Sequence, residues 1–141
     1  MISLQRTRSF LAAVAVLAPA ACTTEQMEQV MPTAHEGEML FAANCASCHD
    51  HRGTGGQLEG GQTAPDLTRI TERNGGAFPR AEVLSQIDGY GRGKVSEEIM
   101  PEFGALLEGD LVPVEVDGVL TPTPRPLAAL LAYLESIQMS G

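Results

Sequence analysis

Two thiols and an imidazole crowd into five residues of this chain, Cys45-Ala46-Ser47-Cys48-His49. Residues three apart on a helix share a side, so both sulfurs can face the same way. They can then bond to the two vinyl groups on one edge of a porphyrin. His49, next in line, can reach under the ring and give iron a neutral nitrogen. The C-x-x-C-H string is the attachment motif of c-type haem. A dithiol redox site would need a βαβ setting, and no parallel-sheet pattern surrounds these cysteines. A closed zinc site would need a second, distant ligand pair.

Iron held by His49 needs a ligand on its other face. Met100 is placed to supply it, because Pro101 fixes the loop behind it and removes a backbone donor. A thioether is a soft ligand that favours reduced iron, so His/Met ligation raises the potential. A methionine can also be core filler, but this one sits in a loop far from the haem motif. Met27, Met31 and Met39 precede or share the haem helix, and Met139 is close to the chain end. His51 follows His49 too closely to reach the other face, whereas His35 could swing across.

The elements that must position these groups are legible in part. Glu36 to Cys48 reads as a helix, with Gly37, Leu40, Phe41, Asn44, Cys45 and Cys48 at spacings of three and four. Gly37 inside it costs about 1 kcal/mol against Ala, which points to a second helix crossing closely there. Asp50 to Thr63 holds five glycines and no apolar period, hence a loop. Pro65-Asp66-Leu67 is a stiff point. Phe78-Pro79 opens a second helix with Val83, Leu84 and Ile87 as its buried face, ended by Gly89-Tyr90-Gly91-Arg92-Gly93. Leu111 to Leu120 carries an Asp-Gly pair between β-branched runs, a hairpin signal. Pro113 confines that strand to an edge. Thr121 to Pro126 reads as a stiff spacer. A last helix, Leu127 to Gln138, buries Leu127, Leu130, Leu131, Leu134 and Ile137.

The 141 residues suffice for one domain, and the absence of Trp leaves a core in which a haem would supply missing bulk. Residues 1–21 form an export signal: Arg6 and Arg8, an apolar run from Phe10 to Leu17, then Ala18-Pro19-Ala20-Ala21. This run is too short to span a membrane. Without those arginines the formal charge falls from −9 to −11. Nucleic acid and anionic membrane surfaces are thereby disfavoured, and partners with basic or apolar docking faces are favoured. Cleavage before Cys22 would leave a lipid-modified cysteine, for which Thr23-Thr24 and the short signal speak and Pro19 speaks against. Cleavage after Ala20 or Ala21 would leave an exported free thiol. Residues 22–34 are polar and aperiodic and read as a flexible tether.

The chain resembles a class I cytochrome c over residues 35–138. The matching elements are Gly37 and Phe41 before the C-x-x-C-H string, then Pro65-Asp66-Leu67, Met100-Pro101, and a final helix with Leu130, Tyr133 and Leu134. The resemblance implies an all-α fold of three to four helices around one covalent haem c, carrying iron, with a β-hairpin insertion near 111–121. It implies that the first and last helices cross, with Gly37 and Phe41 against Leu130 and Tyr133. It also implies that the Pro65 carbonyl accepts from the outer ring N–H of His49. On that crossing, Leu134→Ala should destabilise while Glu135→Ala changes little.

Residues from about 108 to 126 depart from the family; such an insertion could shield the Met edge of the haem, dock a partner, or only decorate the surface. Tyr90, Arg69, Arg73 and Arg92 are candidate propionate partners. The expected task is one-electron transfer in the periplasm or cell envelope, without catalysis. The membrane would be reached only through a lipid on Cys22. The alternatives are a haem-bearing subunit of a dehydrogenase or oxidase complex, and a haem enzyme or gas sensor with a displaceable sixth ligand.

Overall fold

A computed structural model describes residues 31–90 and 99–139. The expected export signal, Cys22, Met27 and Arg92 therefore lie outside the described residues. The first helix, α1 (Ala34–Asn44), begins two residues before the expected start. Its start is set by a capping box: Thr33 accepts from the Glu36 backbone N–H, and the Glu36 carboxylate accepts from that of Thr33. The Thr-x-x-Glu spacing announces such a box in the sequence. The helix also breaks at Cys45 and resumes as α2 (Ala46–His49). The described end of the expected tether is not free: Pro32 is buried, Thr33 caps α1 and Met31 packs against other apolar side chains.

After α2 the chain forms a two-stranded antiparallel ribbon, β1 (Gly56–Gln57) with β2 (Thr63–Ala64), where only a loop was expected. A 3-10 turn over Leu67–Arg69 runs into α3 (Ile70–Arg73), and Asp66 caps the turn by accepting from the Thr68 N–H at 2.9 Å. The proposed stiff point at Pro65-Asp66-Leu67 is thus also a helix start. Next, α4 (Arg80–Asp88) follows Pro79 and ends at Gly89.

A long hairpin then joins β3 (Leu111–Val116) and β4 (Val119–Pro124). Asp117 and Gly118, both with positive φ (51° and 83°), close it as a two-residue turn. The stretch taken for a stiff spacer is thus a strand. Its prolines are tolerated for a register reason. Counted from the closing pair Val116–Val119, the pairs Pro113–Pro122 and Leu111–Pro124 fall on alternate, non-hydrogen-bonded positions, where no N–H is required. The last helix, α5 (Arg125–Ser136), starts two residues early, with Pro126 in its first turn. The fold is therefore not purely α: five helices, short 3-10 turns and two small antiparallel sheets make up the described residues.

The core is split by α5. On one side Leu127, Leu130, Tyr133 and Leu134 meet Phe41, Ile87 and Leu107. On the other, Ala128 and Leu131 meet Val112 and Val114 of the hairpin. The 108–126 insertion thus covers the second face of α5, and no residue of it lines the cavity described below. The α1–α5 crossing is tight. A Cβ added at Gly37 would lie 2.6 Å from the Ala129 carbonyl carbon and 2.7 Å from the Tyr133 Cβ. Phe41 and Tyr133 stack beside it, with ring centroids 5.1 Å apart and planes tilted by 47°.

Charge pairs tie the layers together. Arg125 reaches Glu36 at 3.0 Å, joining the starts of α5 and α1. Arg80, at the start of α4, grips Glu135 of α5 through two nitrogens at 2.6 and 3.2 Å. The same guanidinium donates to the Glu115 backbone carbonyl of β3 at 2.7 Å. Glu135 is accordingly engaged, and it cannot serve as the inert neighbour of Leu134 that the helical period suggested.

Candidate functional site

The break at Cys45 leaves the local hydrogen bonding intact. The Cys45 N–H donates to Phe41 at 2.8 Å, and the N–H groups of Cys48 and His49 donate to the Cys45 carbonyl at 3.1 and 3.0 Å. Both sulfurs and the imidazole therefore leave the chain within one tightly wound turn. All three line one mostly apolar cavity of about 470 Å³, within the range of cofactor pockets. Burial, with the neighbouring Cys48, pushes the Cys45 thiol up to about 11, so it is protonated at neutral pH. Cys48 is exposed, and no disulfide joins the two.

Burial lowers the pKa of His49, opposed in part by its contact with the Pro65 carbonyl. The Nδ1 atom lies 3.4 Å from that oxygen. The imidazole is thus held neutral, with a lone pair to offer. The loop between them is what allows the contact. The Gly55 N–H donates to the His49 carbonyl at 3.0 Å, and the Leu67 N–H donates to the Gly53 carbonyl at 2.7 Å. A Cβ on Gly55, whose φ is +77°, would sit 2.8 Å from the Pro65 carbonyl carbon. Glycine here lets two backbone segments close beside the imidazole. The glycine run alone gave no hint of that role.

Met100 reaches the same cavity from 51 positions further along the chain. Its loop is clamped to the end of α4 by the Phe103 N–H, which donates to the Ile87 carbonyl at 3.0 Å. The Gln86 side chain donates to the Met100 sulfur at 3.7 Å. Among the described residues the cavity is lined by no histidine besides His49 and no methionine besides Met100. His35 is exposed beside Glu38, and with His51 it lines a separate shallow cleft. Met39 and Met139 are exposed, and Met31 packs near the hairpin. Two thiols and an imidazole in the C-x-x-C-H arrangement, with a thioether on the same apolar cavity, suit a covalently held haem, so the residues fit that group.

The suggested propionate partners fare differently. Arg69 is held bidentately by Glu72 at 2.7 and 2.8 Å, and Arg73 donates to the Asp66 carbonyl at 2.6 Å. Tyr90 is exposed, and none of the three lines the cavity. Gln138, by contrast, went unnoticed in the sequence. Its amide spans from the end of α5 to the Leu67 carbonyl at 2.8 Å and accepts from the Thr71 N–H at 2.9 Å. It thereby pins the 3-10 turn carrying Leu67, a cavity wall. No periodic or motif signal marks it.

The family model described as Cytochrome c matches residues 34–138. Over 37 residues the chain is 51% identical to the cytochrome bc1 complex cytochrome c subunit of Mycobacterium tuberculosis, and equally so to that of Mycobacterium bovis. This covers 26% of the chain and 13% of either relative. Over 60 residues it is 38% identical to the Cbb3-type cytochrome c oxidase subunit FixP of Azorhizobium caulinodans, covering 34% of the chain and 20% of that protein. The chain thus matches no more than about a fifth of the length of these relatives.

Proposed function

The chain belongs to the cytochrome c family, and from that premise we propose a one-electron carrier of the cell envelope whose iron is held by His49 and Met100. Membership of the family brings one covalent haem c with its iron. When bound, the haem supplies a one-electron couple between ferric and ferrous states. The protein's residues do the rest. Cys45 and Cys48 supply the thioether attachments. His49, neutral and oriented through Pro65, would hold the iron through a ring nitrogen, and Met100 would hold it through its sulfur. Leu130, Leu134, Phe41 and Ile87 exclude water around them. Two protein ligands leave no position for substrate, so electron transfer rather than catalysis is the task.

The observation that carries this reading is the presence of His49, Met100 and both thiols on one cavity. The Met100→Ala variant is the test. It should lose the weak long-wavelength band of thioether-to-ferric-iron ligation, bind carbon monoxide or cyanide, and fall in potential. An unchanged spectrum would assign the iron to another ligand.

A second reading is favoured by the names of the matched relatives, which are subunits of a cytochrome bc1 complex and of a Cbb3-type cytochrome c oxidase. On it the domain is a fixed electron inlet or outlet of such an assembly. Co-purification with a membrane complex after mild detergent extraction would establish it, and a lone monomer would dismiss it. Partners with basic or apolar faces fit the acidic chain in either case. An anchor through a lipid on Cys22 would keep the domain at the membrane. Among the described residues no helix is long and apolar enough to cross one.

A further inference from the structure

The carboxamide of Gln86 is a polar group of the cavity wall to which the proposed mechanism gives no task. It sits in the last turn of α4, half-buried, and lines the cavity. Its Nε2 donates to the Met100 sulfur at 3.7 Å, an ordinary length for an N–H donor on sulfur. The pairing is imposed by the backbone. The Phe103 N–H bonds to the carbonyl of Ile87, the residue next to Gln86, at 3.0 Å. Two close approaches seal the same junction: a Cβ on Gly89 would meet the Glu102 side chain at 2.5 Å, and one on Gly104 would meet the Asp88 carbonyl oxygen at 2.7 Å. The Met100 loop is therefore seated on the end of α4, and Gln86 meets the sulfur as a consequence of that seating.

We infer that Gln86 is a positioning residue that sets the potential of the bound haem through Met100. The inference rests on the reading that Met100 ligates iron. A thioether sulfur carries two lone pairs, so accepting from an amide is compatible with donating to a metal. A hydrogen bond to that sulfur draws electron density from it. The sulfur then donates less to ferric iron, and uptake of one electron, with both axial ligands retained, becomes more favourable. The same bond restrains a side chain with three rotatable bonds and no branching, which otherwise adapts freely. Gln86 thus both raises the potential and slows exchange of Met100 for an outside ligand.

The test uses the full-length holoprotein. Gln86→Leu removes the donor at similar volume, and Gln86→Met is a second, more adaptable apolar replacement should the first fold poorly. Ser85→Ala, on the same helix, is the control. In the Gln86 variants the Met–iron band should persist but shift in position. The equilibrium constant for reduction should fall about threefold to tenfold, tenfold being about 59 mV for a one-electron couple. Cyanide should displace Met100 severalfold faster, and the control should match wild type in each respect. In the ferrous wild type, nuclear Overhauser contacts should join the Gln86 amide protons to the Met100 methyl. A wild-type band with an unmoved potential in both variants would overturn the role of Gln86 while leaving ligation intact. A wild-type protein without the band would overturn the ligation and this inference together.

Discussion

Cys45 and Cys48 leave a single helical turn and line the same cavity. Replacing both with Ala should give protein whose haem is extracted by acidified organic solvent, whereas the parent keeps its haem under that treatment. Haem retained by the double variant would contradict attachment through these thiols. Gly37 offers a second residue-scale test in which two effects oppose each other. Gly37→Ala gains about 1 kcal/mol of helix propensity. Its new Cβ would press on the Ala129 carbonyl carbon at 2.6 Å and on the Tyr133 Cβ at 2.7 Å. Neither is the loose end of a side chain, so the helices must move apart, at about 1–3 kcal/mol. Overpacking should win, and denaturant unfolding of the holoprotein should show a net loss of stability. A stabilised variant would mean that the helices can separate without cost.

At the scale of elements, α5 is the organising piece because it is buried on two faces. Leu134 packs toward Phe41 and the cavity, so Leu134→Ala should cost about 2–5 kcal/mol. Glu135 is one residue on and half-buried, and it holds Arg80 in a fork at 2.6 and 3.2 Å. Glu135→Ala should cost about 1–3 kcal/mol, as loss of a charge-assisted hydrogen-bond pair does. Met39, exposed by 56% on α1, is the better silent site, with a change within about 0.5 kcal/mol. Chemical denaturation of the three variants checks the order. A silent Glu135→Ala would show that Arg80 finds its other partner, Glu115, sufficient. Arg80 also explains what the hairpin does for the domain. Through Glu115 it couples β3 to α4, the helix that bears Gln86 and one wall of the cavity.

At the scale of the whole molecule, an acidic cytochrome c domain has to meet its redox partners. The short segment read as an export signal and Thr23-Thr24 favour a lipid on Cys22, and Pro19 opposes it. Several acyl chains together would hold the domain at a membrane, where one alone binds marginally. Mass spectrometry of the native N-terminal peptide should find a diacylated or triacylated Cys22, and Cys22→Ser should move the protein from the membrane to the supernatant fraction. An unmodified peptide starting at Ala21 or Cys22 would show that no such anchor exists.

The residues proposed to hold the haem could be read directly, because each is marked locally, whereas α1 and α5 both start two residues before their expected positions. Spacing alone put Cys45, Cys48 and His49 on one turn, Met100-Pro101 marked a stiff loop with a soft donor, and Asp117-Gly118 marked a tight turn. Apolar period marked the buried side of α5. Other features were decided only by the tertiary structure, since they depend on partners distant in the chain. Val119 to Pro124 became a strand because its prolines fall on positions of the ladder that need no N–H. Glu135 became a structural residue because α4 brings Arg80 across from 55 positions away. Gln86 and Gln138 acquired roles because a loop and a helix end were delivered to their amides. Short-range chemistry is written in neighbouring residue types, whereas a polar side chain's task is settled by whatever the fold sets against it.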